Sequence, residues 1–287
     1  MFSNSRSVLR ILKINLFVQG AIIVTGAIVR ITKSGLGCPT WPQCVGDSIV
    51  PLSTQSESWH KYVEFGNRLL TFVLLIVAAL VVIAVWRNSR NVKLRALAFT
   101  PILGTVFQAI LGGITVLTGL HPTTVAAHFL VSIVIVALSH SLLRNFADEG
   151  KSKVYKTTPN FLVVVAFISI MLGTLVTGSG PHSGDKNASS RFEFDMATIS
   201  NVHAKSIWIY CALFGYLAFR RYKISSNKAK KSFELLAAIV IGQGFLGYYQ
   251  YFNGVPEVLV FLHIIGSVIF WIANLRLRSD LAQNQSV

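Results

Sequence analysis

Charge is scarce in this sequence. Only 13% of its 287 residues are Asp, Glu, Lys or Arg, about half the share usual in a soluble domain. With 53% hydrophobic residues and a mean hydropathy of +0.59, that scarcity excludes disorder and argues against a soluble globule, so lipid is the expected solvent. Acids are scarcer still, 11 against 26 Lys and Arg, which leaves a net charge of +15. In a soluble domain such an excess points to nucleic acid; in a membrane protein it holds loops on the cytoplasmic side. Alternating ten-residue segments are missing, which argues against barrel strands. No small-residue cleavage site or transit-like extension is seen, so the first apolar run reads as a retained helix. Cysteines number three.

Eight continuous apolar stretches are present, near residues 11–31, 65–86, 96–117, 123–143, 160–178, 202–219, 233–252 and 257–275. Each is about 20 residues long, enough to cross roughly 30 Å of hydrocarbon as a helix. Nineteen of the 26 cations fall in alternate loops and the two tails. Arg87, Arg90, Lys93 and Arg95 share one such loop, and Arg144, Lys151, Lys153 and Lys156 another. The other seven are Arg30, Lys33, Lys61, Arg68, Lys186, Arg191 and Lys205. The segregation predicts an even number of spans with both termini cytoplasmic, and it removes the case for nucleic acid. A bacterial plasma membrane is the simplest address for such a multi-pass protein.

The second half repeats the first. Gln108, Gly112, Gly119, His128 and Ser132 recur as Gln243, Gly247, Gly254, His263 and Ser267, all at one offset of 135. Gly26-Ala-Ile-Val29 is echoed by Gly173-Thr-Leu-Val176. The expected architecture is therefore an all-α polytopic protein of two tandem, pseudo-symmetric four-helix bundles. Residues 1–144 form one half and 159–287 the other, joined by a basic linker over 145–158. The repeat is parallel, because four spans per half preserve topology.

Ionisable groups within a bilayer are costly and mark function by default. His60, His121 and His182 belong to outer loops or helix edges, and His140 lies near the inner end of span 4. His128, His203 and His263 lie inside spans near their outer ends. Facing His residues in a four-helix bundle can hold a haem axially, and His203 with His263 fit that pattern. A histidine hydrogen-bonded across helices is the alternative for any one of them. The first-half counterpart of His203 is Asn67, a poor iron ligand, so the halves are not equivalent. Glu64 stands one turn before Asn67 on the same helix face. A carboxylate there can move protons or stabilise a developing cation, or merely pair with Arg68 or Lys61.

Several strings now coincide: Thr-Lys-Ser-Gly-Leu-Gly-Cys38-Pro-Thr-Trp-Pro-Gln-Cys44, Glu64-Phe-Gly-Asn67-Arg, Gln108-Ala-Ile-Leu-Gly-Gly-Ile-Thr-Val-Leu-Thr-Gly-Leu-His-Pro and Thr-Gly-Ser-Gly-Pro-His182-Ser-Gly-Asp185. With them the chain resembles the haem A synthases over nearly its whole length. The resemblance implies oxidation of the C8 methyl of haem O to a formyl group, making haem A for cytochrome oxidase. It implies a haem b between His203 and His263, and substrate haem O at His128 and the span-2 position. Asn67 stands where many members have His, as in a subgroup of the family. His60, two turns earlier, is the other candidate for that place. Arg30, Arg68 and Lys205 are candidate propionate contacts or else interfacial anchors. Haem O synthase is the implied donor of substrate. The electron donor is unidentified, and a homo-oligomer is left open.

Cys38 and Cys44 lie in the first outer loop, an oxidising setting. Their spacing closes a small ring around Trp41 and Pro42 if the loop turns back. The resemblance gives that pair a redox role, and a structural staple is the alternative. Cys211 lies within span 6 and reads as a packing residue. Two other classes compete with the enzyme. A di-haem cytochrome carrying electrons to or from quinone would want four good ligands, which Asn67 denies it. A haem-handling transporter would explain the duplication but neither the Glu64/Asn67 asymmetry nor the outer Cys pair.

Overall fold

Hydrocarbon offers no hydrogen-bond partners, so each apolar run must satisfy its own backbone, and a helix does this. The computed structural model describes residues 5–149 and 160–283. Over these the helices are α1 (Ser5–Ile31), α2 (His60–Asn88), α3 (Val92–Leu97), α4 (Thr100–Leu117), α5 (Pro122–Ala147), α6 (Phe161–Ser179), α7 (Met196–Arg221), α8 (Asn227–Phe252) and α9 (Glu257–Gln283). With α3 and α4 taken as one interrupted span, eight are long and apolar enough to cross a membrane. The chain is a polytopic α-helical membrane protein.

The helices overrun the predicted spans. α1 begins at Ser5, α2 at His60 and α8 at Asn227, and α9 continues to Gln283. Hydropathy marks only the hydrocarbon layer, whereas a helix continues through the headgroups with its Lys and Arg stems lying along it. The third span is broken at residues 98–99 because Pro101 has no N–H for the Leu97 carbonyl. The Thr100 hydroxyl donates to that carbonyl instead, at 2.8 Å. α5 absorbs residues 145–147 of the expected linker. Lys151, Lys153 and Lys156 lie outside the described residues.

Two compact units emerge, one from residues 5–149 with 178–193, the other from 160–177 with 194–283. In the first unit α1 packs along α2 and α5, and α4 along α5 and α2, which closes a four-helix ring. Its basic end is filled by Val8, Leu12, Val81, Ala84, Val85, Leu94, Ala98, Leu142 and Phe146. In the second unit Phe167 of α6 meets Trp271 of α9, Trp208 of α7 donates to Tyr248 of α8, and α8 packs along α9. The repeat is visible at the backbone. Gly119 and Gly254 both take positive φ, 62° and 74°, each followed by a residue at φ 59°, Leu120 and Val255. Leu120 N–H donates to the Thr115 carbonyl and Val255 N–H to Gln250, at 2.9 and 2.8 Å. These are the same helix-ending turn, which glycine permits.

The loop after α6 belongs to the first unit. Gly35 N–H donates to the Gly184 carbonyl at 2.8 Å, and Leu36 N–H to the Asp185 carboxylate at 3.1 Å. The loop between α1 and α2 is pressed against the bundle. Trp41 lies on Gly113 of α4, where an added Cβ would come within 2.3 Å of the indole. Gly113→Ala should therefore destabilise the protein by about 1–3 kcal/mol through overpacking. Thermal unfolding in detergent measures this, with Gly215→Ala as control, since nothing lies within 4 Å of that position.

Candidate functional site

His128, His203 and His263 each lie six or seven residues past the start of their helix, as does Asn67. Each imidazole sits on a glycine of the neighbouring helix. An added Cβ at Gly112 would be 3.2 Å from His128 Cε1, at Gly173 3.3 Å from His203 Cε1, and at Gly247 3.3 Å from His263 Cε1. Glycine lets the ring approach the backbone closely, and these contacts fix the rings by packing. The Nδ1 atoms of all three are buried with no hydrogen-bond partner among the described residues. Such orphaned atoms are costly unless something binds there.

In the second unit the His203 and His263 rings face each other, with centroids 6.5 Å apart and planes at 83°. A centroid separation of that size matches two nitrogen–metal bonds of about 2 Å plus the short distance from each nitrogen to its ring centre. Among the described residues no group of three or more His, Cys, Asp or Glu side chains could hold a metal ion. Two imidazoles supply only two ligands, and a macrocycle that brings its own four nitrogens supplies the rest. The residues therefore fit a haem. In the first unit His128 meets no second imidazole at the corresponding place. Asn67 holds that place, its Oδ1 accepting from the Thr25 hydroxyl at 2.7 Å. The next residue, Gly26, has nothing within 4 Å of an added Cβ. The Gly–His contact of the second unit is thus replaced by open room.

Glu64 is 5% exposed and ties α2 to the outer loop. Its Oε2 accepts from Cys38 N–H at 2.6 Å, and its Oε1 from Arg68 Nη2 and Nε at 2.7 and 3.1 Å. Arg68 donates further to the carbonyls of Cys38 (2.7 Å), Thr40 (2.9 Å) and Gln43 (3.0 Å). A planar five-donor fork can serve so many acceptors at once. Cys38 and Cys44 are joined in a disulfide, and both are fully buried. Lys61 does not pair with Glu64; its Nζ donates to the carbonyls of Leu52, Gln55 and Ser53 at 2.7, 3.2 and 3.4 Å.

Of the other candidates, Arg30 donates to the His182 carbonyl, and Lys205 is exposed. His60 is held at the first position of α2 by Ser34, 3.0 Å from its Nδ1. Cys211 is a free thiol. The sequence reading overlooked the glycine seats, although Gly112 and Gly247 stood in the repeat register. It also overlooked the role of Arg68 as the pin of the disulfide loop, which no local pattern signals. Arg68→Lys keeps the charge but loses the fork, and with it two or three loop carbonyls. It should cost about 2 kcal/mol, read as a lower unfolding temperature and faster proteolysis between residues 38 and 59.

Comparison with known proteins gives the chain its relatives. The COX15-CtaA family profile, described as "Cytochrome oxidase assembly protein", matches residues 10–182. A protein of Shouchella clausii named "Heme A synthase" is 30% identical over 167 residues, 54% of this chain and 54% of that one. One of the same name from Listeria monocytogenes is 34% identical over 119 residues, 40% of this chain and 37% of the relative. A third, from Halalkalibacterium halodurans, is 28% identical over 132 residues, 45% and 43% of the two chains. The chain thus matches about half the length of these relatives, or less. Glu64, Asn67 and His128 lie inside the family match, while His203 and His263 lie beyond it. Because that match spans more than half of the sequence, the chain belongs to the COX15-CtaA family of cytochrome oxidase assembly proteins.

Proposed function

We propose that this protein is a haem A synthase, an oxidoreductase that converts haem O to haem A for cytochrome oxidase. The observation that carries the reading is the difference between the units. The second presents two facing imidazoles, whereas the first presents one imidazole, an amide, open room at Gly26 and a carboxylate one turn from that amide. A matched pair of ligands suits a resident cofactor, and an incomplete set suits a substrate. The printed names of the relatives point the same way.

On this reading His203 and His263 hold a haem b, which when bound supplies one-electron transfer. His128 would hold haem O, with Asn67 in the place where the second unit has its other imidazole. Conversion of the C8 methyl to a formyl group is a four-electron oxidation. Written as two hydroxylations, each would consume one dioxygen, two electrons from the donor and two protons and release one water, and the gem-diol would then lose a second water. Glu64 receives a proton or stabilises positive charge at the reacting carbon, while Arg68 and Cys38 N–H hold its carboxylate still. Arg30 lies in the last turn of α1, where a propionate would reach it, whereas Lys205, two residues past His203, stands on the exposed face of α7 and suits an interfacial anchor. The basic face is cytoplasmic. Haem O comes from haem O synthase, and the electrons come from a separate donor. The 1–144 and 159–287 halves, with residues 178–193 counted to the first, then have separate roles, substrate and cofactor. A di-haem electron carrier is the second reading, and the single imidazole of the first unit disfavours it.

Co-expression with a haem O supply, followed by haem extraction, tests this. Haem A should appear, and Glu64→Ala or His128→Ala should lower it by about 10²-fold or more. Unchanged haem O in a folded, haem b-containing protein would overturn the proposal. His203→Ala and His263→Ala should each abolish the reduced-minus-oxidised haem b signal. Asn67→His should convert haem bound at His128 to a two-imidazole, six-coordinate spectrum, since Gly26 leaves space for the ring.

A further inference from the structure

The first unit carries a ladder of polar side chains through its apolar core. At the level nearest the basic end, Asn15 Nδ2 of α1 donates to Ser139 Oγ of α5 at 3.0 Å. One turn outward, Gln19 Nε2 of α1 donates to Thr105 Oγ1 of α4 at 3.4 Å. One turn further, Gln108 Nε2 of α4 donates to Ser132 Oγ of α5 at 2.6 Å and to the His128 carbonyl at 2.9 Å. Ser132 Oγ donates to the same carbonyl at 3.0 Å. The steps agree along three helices. Four residues on α1 and three on α4 cover about the same rise as the seven between Ser132 and Ser139, roughly 10 Å at 1.5 Å per residue. The rungs are deeply buried: Asn15 is 0% exposed, Ser139 1%, Thr105 2% and Gln19 4%.

Two oxygens on this ladder, Asn15 Oδ1 and Gln108 Oε1, are buried without a hydrogen-bond partner among the described residues. They lie on its first and last rungs. Direct pairing of the side chains thus leaves both ends short of a donor, and a water molecule is the donor that fits a polar interior site. Beyond Asn15 the bundle is closed by the apolar cluster around Leu12, Val81 and Leu142. Interhelical glue alone would be expected in both units. In the second unit, however, the repeat places Ala166 and Val240 at the Gln19 and Thr105 positions and Leu162 at that of Asn15. The Ser139 counterpart, Asn274, is satisfied by the Leu162 carbonyl at 3.3 Å.

From this we infer that the first unit holds a blind-ended file of bound water, running from His128 inward to Asn15 and filled from the His128 end. The file gives the site in that unit a store of water and a relay for protons that does not open to the basic face. It does not rest on the proposed reaction, because the ligand is water itself.

Water-edited solid-state NMR on the full chain in lipid bilayers tests it. Magnetisation should pass from water to the side-chain amides of Gln108, Gln19 and Asn15. Thr105→Val, a near-isosteric change that copies the second unit, and Gln19→Leu should abolish transfer to Asn15 while transfer to Gln108 persists. No transfer to Asn15 and Gln108 in the unaltered protein would overturn the file. Transfer to Asn15 that survives both variants would show water arriving from the basic end and overturn the blind end. Unchanged backbone chemical shifts away from the substitution establish that each variant is folded.

Discussion

The close seat of an imidazole on a glycine is the contact on which the rest of this structure depends. Three times a ring stands within ordinary contact of a helix backbone that has no Cβ to push it away. Between lipid-facing helices there is little hydrophobic force to draw them together, so close backbone approach must supply the packing. The same seats fix the depth of His128, His203 and His263, because each lies at an equal distance from its helix start. One kind of contact therefore sets both the helix spacing and the level of the three imidazoles. Where it is lacking, at Gly26 and Asn67, the result is space rather than a collapsed bundle, since α1 and α2 remain held along the rest of their length.

The outer loops depend on a second constraint, the isolation of a carboxylate in a poorly solvated place. Glu64 is acceptable there only because Arg68 and a backbone N–H serve both of its oxygens. Arg68 in turn is neutralised by Glu64 and saturated by loop carbonyls. The ion pair and the disulfide loop are thus one object: the loop supplies the carbonyls that hold Arg68, and Arg68 holds the carboxylate against α2. Breaking a buried pair leaves the remaining charge uncompensated, so the backbone path of residues 38–44 cannot change independently of residue 68.

Much of the fold was legible because lipid imposes simple rules. Twenty-residue apolar runs gave the spans, and the placement of Lys and Arg gave an orientation. The repeat register paired Gly119 with Gly254, and the matching turns there emerged only in the structure. The break before Pro101 escaped because hydropathy averages over it, and the extra helical turns escaped because charged residues at helix ends look like loop. Of the site, the three histidines and Glu64 stood out because polar groups are rare in such a background. What could not be read was pairing. Whether Glu64 meets Lys61 or Arg68 depends on the path of a 28-residue loop between α1 and α2. Whether residues 178–193 join the first unit depends on contacts distant in sequence, such as Leu36 with Asp185.

The two units show how one scaffold can diverge by a few exchanges at equivalent positions. Asn67 in place of His203 removes one of two imidazoles; Ala166 and Val240 against Gln19 and Thr105 change the polarity of the core. Both exchanges act in the same direction. A site that only exchanges electrons benefits from two fixed ligands and a dry, rigid surround that reorganises little. A site where bonds to carbon change must admit a second reactant, release protons and tolerate intermediates of different charge, which needs an unfilled position and nearby polar groups. On the proposed assignment, the single imidazole and the polar ladder of the first unit therefore serve one requirement. The glycine seats could be kept throughout, because they set geometry and are indifferent to chemistry.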